Sequence, residues 1–185
     1  MIRTLLWLLA GAVLGGIIHI VVILALPIFA TQDVWTRITA LGAVEKAVVL
    51  PAPALGEPNP LRLDPDMAYA VCQVDLSSGP GVVSGTLPDA FWSIAVYNRA
   101  GTVIYSTTNR DGIGQNLDLG IFNPAQTRLL AQQQLDIAEG LLIVESPQND
   151  VFAVVRLAPP HPAMKARYEK ALSELECGNI KSDAN

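Results

Sequence analysis

Histidine, cysteine and basic residues are scarce in this chain. There are two histidines and two cysteines, and Lys plus Arg number 12 against 17 Asp plus Glu. Each scarcity excludes something. No basic cluster is present, so the counterion-releasing surface that nucleic acid requires is missing. The net charge of −5 also gives the chain as a whole no electrostatic attraction to anionic lipid. With only His19 and His161, and no His/Cys pair at zinc spacing, no metal centre is implied. No phosphate-loop or dinucleotide fingerprint occurs, and no cofactor is called for. Gly81-Val82-Val83-Ser84-Gly85 has one residue too many for a nucleophile elbow. His161 is the only histidine past the N-terminal run, and it stands between prolines where a helix begins, a structural position. Asp64-Pro65-Asp66 lacks the glycine and distal glutamate of a calcium loop.

The most informative absence is local. From Thr4 to Gln32 there is no Asp, Glu, Lys or Arg, and Leu5 to Leu26 is almost wholly apolar. A helix needs roughly 20 such residues to cross a bilayer. A cleaved secretory signal has a shorter apolar region, about 7–15 residues. A cut after Ala30 would also put Ile28, which is not small, at the −3 position. No lipoprotein cysteine follows the run. The expectation is an uncleaved signal anchor over residues 1–32. Arg3 lies on its near side, whereas the far side opens with Asp33, so the amino terminus is expected inside and the remainder outside. Within the anchor, Gly11, Gly15 and His19 recur every fourth residue and share one helix face, a candidate contact surface for another membrane helix.

Beyond the anchor the texture changes, and the remaining length suffices for one domain with its own core. Val34, Ile38, Leu41, Val44 and Val48 fall at helical spacing, which predicts an amphipathic helix to Val49 with Asp33 as N-cap. Pro51, Pro53, Pro58 and Pro60 then exclude regular structure and predict a semi-rigid spacer, closing a segment 33–60. Residues 61–178 read as a β-rich domain. Met67–Leu76 alternates, with Ala70, Cys72, Val74 and Leu76 on one face and Tyr69, Val71, Gln73 and Asp75 on the other. Strands follow over Gly81–Thr86, Ala90–Asn98 and Thr102–Thr107, the last two as a hairpin through Arg99-Ala100-Gly101, and over Leu117–Phe122. Thr127–Ile137 fits either helix or strand. Leu141–Glu145 and Val151–Leu157 are predicted strands joined as a hairpin by Ser146–Asp150. A terminal helix starts at Pro162, carries Met164, Tyr168, Ala171, Leu172 and Leu175 on its apolar stripe, holds Cys177 in its last turn and stops at Gly178, before a polar tail 179–185. The expected fold class is α+β, mainly β: one N-terminal transmembrane helix, then an antiparallel sandwich or partial barrel with flanking helices.

Cys72 and Cys177 lie beyond the anchor. In a reducing compartment they would be two buried free thiols. With the domain outside, they are expected to bridge, closing a loop of about 105 residues. Aromatic and polar residues concentrate between Tyr69 and Asp111. Trp92, Tyr97 and Tyr105 are candidates to line a ligand cleft with Asn109, Arg110 and Asp111 at its mouth, Arg110 clamping a carboxylate or phosphate. The competing reading makes the aromatics sheet core and the turn solvated.

Asp64-Pro65-Asp66, the Tyr69–Asp75 strand, Asp75-Leu76 before Gly79-Pro80, Phe91-Trp92-Ser93 and Asn109-Arg110 together resemble the bacterial domain of unknown function twelve fifty-four. The resemblance implies a β-rich periplasmic module on a single inner-membrane anchor. It implies no reaction. Larger relatives carry a second domain with no counterpart in these residues, so a protein partner is expected to supply it. Two function classes follow. One is a tethered binding or interaction module of the cell envelope. The other is a tethered hydrolase or transferase acting on lipid or glycan, which needs Asp64 or Asp66 brought to Asp75 or Asp111. A weaker third option is a transport or secretion subunit using the Gly11 face.

Overall fold

The structure is a computed structural model describing residues 2–29, 34–54, 56–111, 114–132 and 140–180. It is α+β and mainly β. Helix α1 spans Ile2–Phe29. Its Ile2–Leu26 portion has a mean hydropathy of 2.6 and is the single helix among the described residues long and apolar enough to cross a membrane. None of that stretch is buried against the rest of the chain.

The remainder forms two packed sheets. The first holds β1 (Val48–Val49), β2 (Ala68–Asp75), β8 (Asp150–Ala158), β4 (Phe91–Asn98) and β5 (Val103–Thr108), side by side in that order. The second holds β7 (Leu142–Glu145), β6 (Asn116–Phe122), β3 (Gly81–Thr86) and β9 (Glu176–Asn179). Alternation decides what each strand buries. Ala70, Cys72 and Val74 of β2, Trp92, Ile94 and Val96 of β4, and Val151, Val155 and Leu157 of β8 face the second sheet and its Val83, Leu117, Leu119 and Ile121. Helix α4 (Lys165–Ser173) closes this core with Tyr168 and Leu172.

The outer face of the first sheet is also covered. A smaller apolar cluster there joins Val71 and Phe152 to Ile38, Ala43 and Leu50, with Trp35, Leu61 and Leu63 packed against it. This is why β2 is buried on both faces. Its Gln73 is satisfied in part by the covering segment, donating from Nε2 to Thr39 Oγ1 at 3.1 Å.

Several expectations are corrected. The helix predicted to Val49 is α2, Val34–Ala40 only. Gly42 follows with a φ of 68°, where Leu41 N and Gly42 N already close back on Ile38 O and Thr39 O. A left-handed glycine just past the last turn is an ordinary helix stop. Val48 and Val49 instead pair with Val71 and Ala70 as an edge strand. Asp33, the expected N-cap, lies outside the described residues. The Leu141–Leu157 region is not a hairpin: β7 pairs in parallel with β6, and the chain then crosses to the other sheet to form β8. The intervening helix α3 (Pro124–Gln132) makes that parallel pair possible, since parallel neighbours need a crossover. Its start is a capping box: Asn123 Oδ1 accepts from Gln126 N at 3.0 Å while Gln126 Oε1 accepts from Asn123 N at 2.8 Å. The terminal helix ends at Ser173, and Cys177 belongs to edge strand β9, paired with Val83.

That last strand is latched at a glycine. Asn179 Nδ2 donates to Gly79 O at 2.7 Å and to Asp75 O at 2.9 Å, and Ile180 N donates to Pro80 O at 2.8 Å. Gly79 has a φ of 147°, and a Cβ there would lie 2.5 Å from Ile180 O. Gly79→Ala is therefore expected to cost about 1–3 kcal/mol, read as a lower denaturant midpoint with an unchanged slope. A variant as stable as the wild type would show that the latch yields.

Candidate functional site

Beneath α2, against the outer face of the first sheet, lies a cavity of about 300 Å³. That is at the small end of the range for ligand pockets. Strand alternation builds its floor in rows. Val71 and Val154 are cross-strand neighbours, as are Tyr69 and Arg156, while Phe152 pairs with Tyr97 on the next strand. The Tyr97 and Phe152 rings stack with centroids 5.0 Å apart at 7°. The roof comes from Val34 and Ile38 of α2 and from Leu50, Leu61, Arg62 and Leu63, residues flanking the proline-rich stretch.

The roof is tied down by polar contacts. Arg37 Nη1 donates to Pro60 O at 2.9 Å, joining α2 to the proline segment. Asn59 brackets the turn at Arg62, donating from Nδ2 to Leu63 O at 2.8 Å and accepting from Leu63 N at 2.9 Å. Tyr69 Oη accepts from Asp64 N at 3.1 Å. These contacts tie the end of the proline stretch, Asn59 and Pro60, to α2 and to the turn at Arg62.

Among the described residues, the charged ones lining this cavity are Arg62 and Arg156. Arg62 is exposed at the rim, whereas Arg156 is half-buried and its Nε is shielded from solvent with no hydrogen-bond partner. A shielded N–H without an acceptor is costly.

The cleft expected from Trp92, Tyr97 and Tyr105 is not formed. Trp92 and Tyr97 are five positions apart on one strand, so they point to opposite faces. Trp92 is fully buried in the core between the sheets, donating from Nε1 to Gly114 O at 3.3 Å. Tyr105, the neighbour of Val96, packs against that same core. Tyr97 alone of the three lines the cavity. Asn109–Asp111 is a 3-10 turn whose Asn109 and Arg110 do not line the cavity; Asn109 Nδ2 donates to Ala90 O at 3.0 Å and Arg110 is exposed, while the Asp111 side chain lies outside what the structure describes. Gly11, Gly15 and His19 all stand exposed along α1.

Among the described residues, Asp64 and Asp66 are not brought to Asp75. Asp64 and Asp66 precede β2, where Asp64 Oδ1 accepts from Asp66 N at 2.9 Å, and Asp75 ends the same strand, accepting from Ser77 N at 2.9 Å. Asp75 does sit across from Asp150, but Asp150 is paired with Arg99 at 3.1 Å on the open surface. His161 is exposed and its Nδ1 accepts from Ala163 N at 3.1 Å, capping a 3-10 turn. The cysteines, in contrast, are joined. Cys72 of β2 and Cys177 of β9 form a disulfide, with Cα atoms 6.3 Å apart, that ties the two sheets together.

Sequence reasoning missed Tyr69, Arg62 and Arg156 as a group. The alternation in β2 already separated Tyr69 from the core face. That Arg156 joins it depends on β2 and β8 being neighbours, which no local pattern announces.

Comparison with known proteins bears on fold and family. No curated protein matches the chain. Among solved structures, the VPA0106 protein of Vibrio parahaemolyticus is similar with a TM-score of 0.50 and 12% identity, over 64% of this chain and 29% of that one. An uncharacterised protein of Burkholderia cenocepacia matches with a TM-score of 0.41 and 13% identity, over 66% of this chain and 31% of its own. The matched region thus spans less than a third of either relative's length. The likeness to the Vibrio protein, at that identity, is a likeness of fold. The family match is more specific: residues 46–176, from just before β1 to the first residue of β9, fit the family described as proteins of unknown function, DUF1254. That stretch contains the whole floor of the cavity and leaves α1 and α2 outside. The chain belongs to the DUF1254 family of proteins of unknown function.

Proposed function

We propose that this protein is a membrane-anchored binding module of the bacterial envelope, with α1 spanning the inner membrane and the sandwich on the periplasmic side. The observation that carries the reading is the Cys72–Cys177 bridge. Disulfides persist in oxidising compartments and are rare in a cytosol. The placement of Arg3 before the charge-free run and Asp33 after it favours the same orientation. Asp64 and Asp66 stand before β2 and Asp75 at its far end, which favours the binding reading over the hydrolase or transferase alternative that needs them together. A partner protein supplying what longer relatives hold in one chain is part of the proposal.

A phosphatase reporter fused after Asn185, active only outside the cytoplasm, is expected to be active. In untreated membranes, Cys72 and Cys177 are expected to resist alkylation until reduced. A cytoplasmic reporter signal together with two freely alkylated thiols would overturn the orientation. Crosslinking in native membranes tests the partner, and recovery of the monomer alone would remove that part of the proposal.

A further inference from the structure

We infer that the cavity beneath α2 holds a single-chain amphiphile with an anionic head, a carboxylate or phosphate monoester, drawn from the membrane next to the domain. The body of the ligand is set by the walls. Val71, Phe152 and Val154 below, with Ile38, Leu61 and Leu63 above, offer apolar surface and few hydrogen-bonding groups. Its head is set by the arginines. Two arginines are the charged lining residues among those described, and they favour a negative group in a chain whose net charge is −5. Arginine suits carboxylate and phosphate because its planar fork can bond two oxygens at once.

Position supports the membrane as source. Helix α1 ends at Phe29 and α2 begins at Val34, itself a wall of the cavity. Five residues reach at most about 18 Å, so the cavity lies within a short distance of the end of the spanning helix. A peptide strand is a poorer occupant. Strand addition needs a free sheet edge. This floor is the face of β2, β8 and β4, whose backbone groups pair with one another.

The source of the ligand rests on the anchored reading, whereas occupancy of the cavity does not. The test uses the full chain in phosphatidylcholine nanodiscs, photolabelled with palmitic acid bearing a terminal diazirine, followed by peptide mapping. Labelling is expected on β2, β8 or residues 61–63. Oleate or oleoyl lysophosphatidic acid is expected to compete, and whichever does so better identifies the preferred head. Oleyl alcohol and oleylamine should compete about tenfold less well or worse. Arg156→Gln should reduce saturable labelling about tenfold, and exposed Arg62→Gln about threefold. Arg110→Gln, at a residue that is not among those lining the cavity, should leave it unchanged. Should Arg156→Gln fail to fold, judged by loss of the disulfide or of its melting transition, Arg62→Gln decides. Label confined to α1, equal competition by oleylamine, or wild-type labelling in folded arginine variants would each overturn the inference. Because nanodisc labelling is blind to which side of the cell membrane the domain occupies, its failure is distinct from a failure of the topology reporter.

Discussion

Replacing both Cys72 and Cys177 by alanine is expected to destabilise the sandwich by about 3–5 kcal/mol, lowering its melting midpoint by about 10–20 °C. The sequence separation of 105 residues places most of the β domain inside the closed loop. Cutting the bridge restores to the unfolded chain the freedom that loop closure had removed. Its location increases the consequence. Cys177 lies on β9, a four-residue edge strand, and Cys72 lies on β2 of the opposite sheet. Without the bridge, β9 is held by its pairing with β3 and by the Asn179 latch. Alanine is the appropriate replacement because Cys72 is buried and a serine would add an unpaired hydroxyl. The check is a thermal melt with and without reductant, for the wild type and the double variant. The reduced wild type should approach the variant. Coincidence of all four melts would show that the bridge contributes nothing to stability.

Trp92→Ala is expected to cost about 3–5 kcal/mol, while Arg110→Ala stays within about 0.5 kcal/mol of wild type. The indole is fully buried between the sheets, so its removal leaves a void lined by residues fixed in neighbouring strands. It also strips Gly114 O of its donor. Trp92→Phe should retain most of the packing and cost about 1–2 kcal/mol. The pair of residues discriminates two readings of the aromatic stretch. Were Trp92 and Arg110 members of one ligand cleft, both changes would alter binding and neither would dominate stability. Denaturant midpoints with slopes measured alongside separate the cases, since a pure stability change moves the midpoint alone.

Both variants bear on how far local patterns reach. In β2 the alternation of Ala70, Cys72 and Val74 with Tyr69, Val71 and Gln73 was legible, because a pleated strand sends successive side chains to opposite faces whatever surrounds it. The β4–β5 hairpin was equally legible from Arg99-Ala100-Gly101, where Gly101 takes a φ of 79° and Asn98 Oδ1 accepts from Thr102 N at 2.9 Å. Gly42 announces the C-terminal end of α2, although the apolar spacing through Val44 and Val48 imitates a helix that the glycine interrupts. Asn123-Pro124-Ala125-Gln126 likewise carried a capping box ahead of a stretch left open between helix and strand.

From residue order alone come the charge-free span of α1, the strand faces, the hairpin and the two cysteines free of any metal-ligand spacing, all consequences of short-range periodicity and composition. Tertiary structure decided the rest. Ser146–Asp150 is long enough for a hairpin or a sheet change, and the pairing of β7 with β6 settled it as a change of sheet. The aromatic segment was divided between two faces by the pleat of β4 and by what covers each side. The cavity itself arises because α2, Leu50 and Leu61–Leu63 cover β2, β8 and β4, so that Arg62 and Arg156 line one space across a separation in sequence that no local pattern spans.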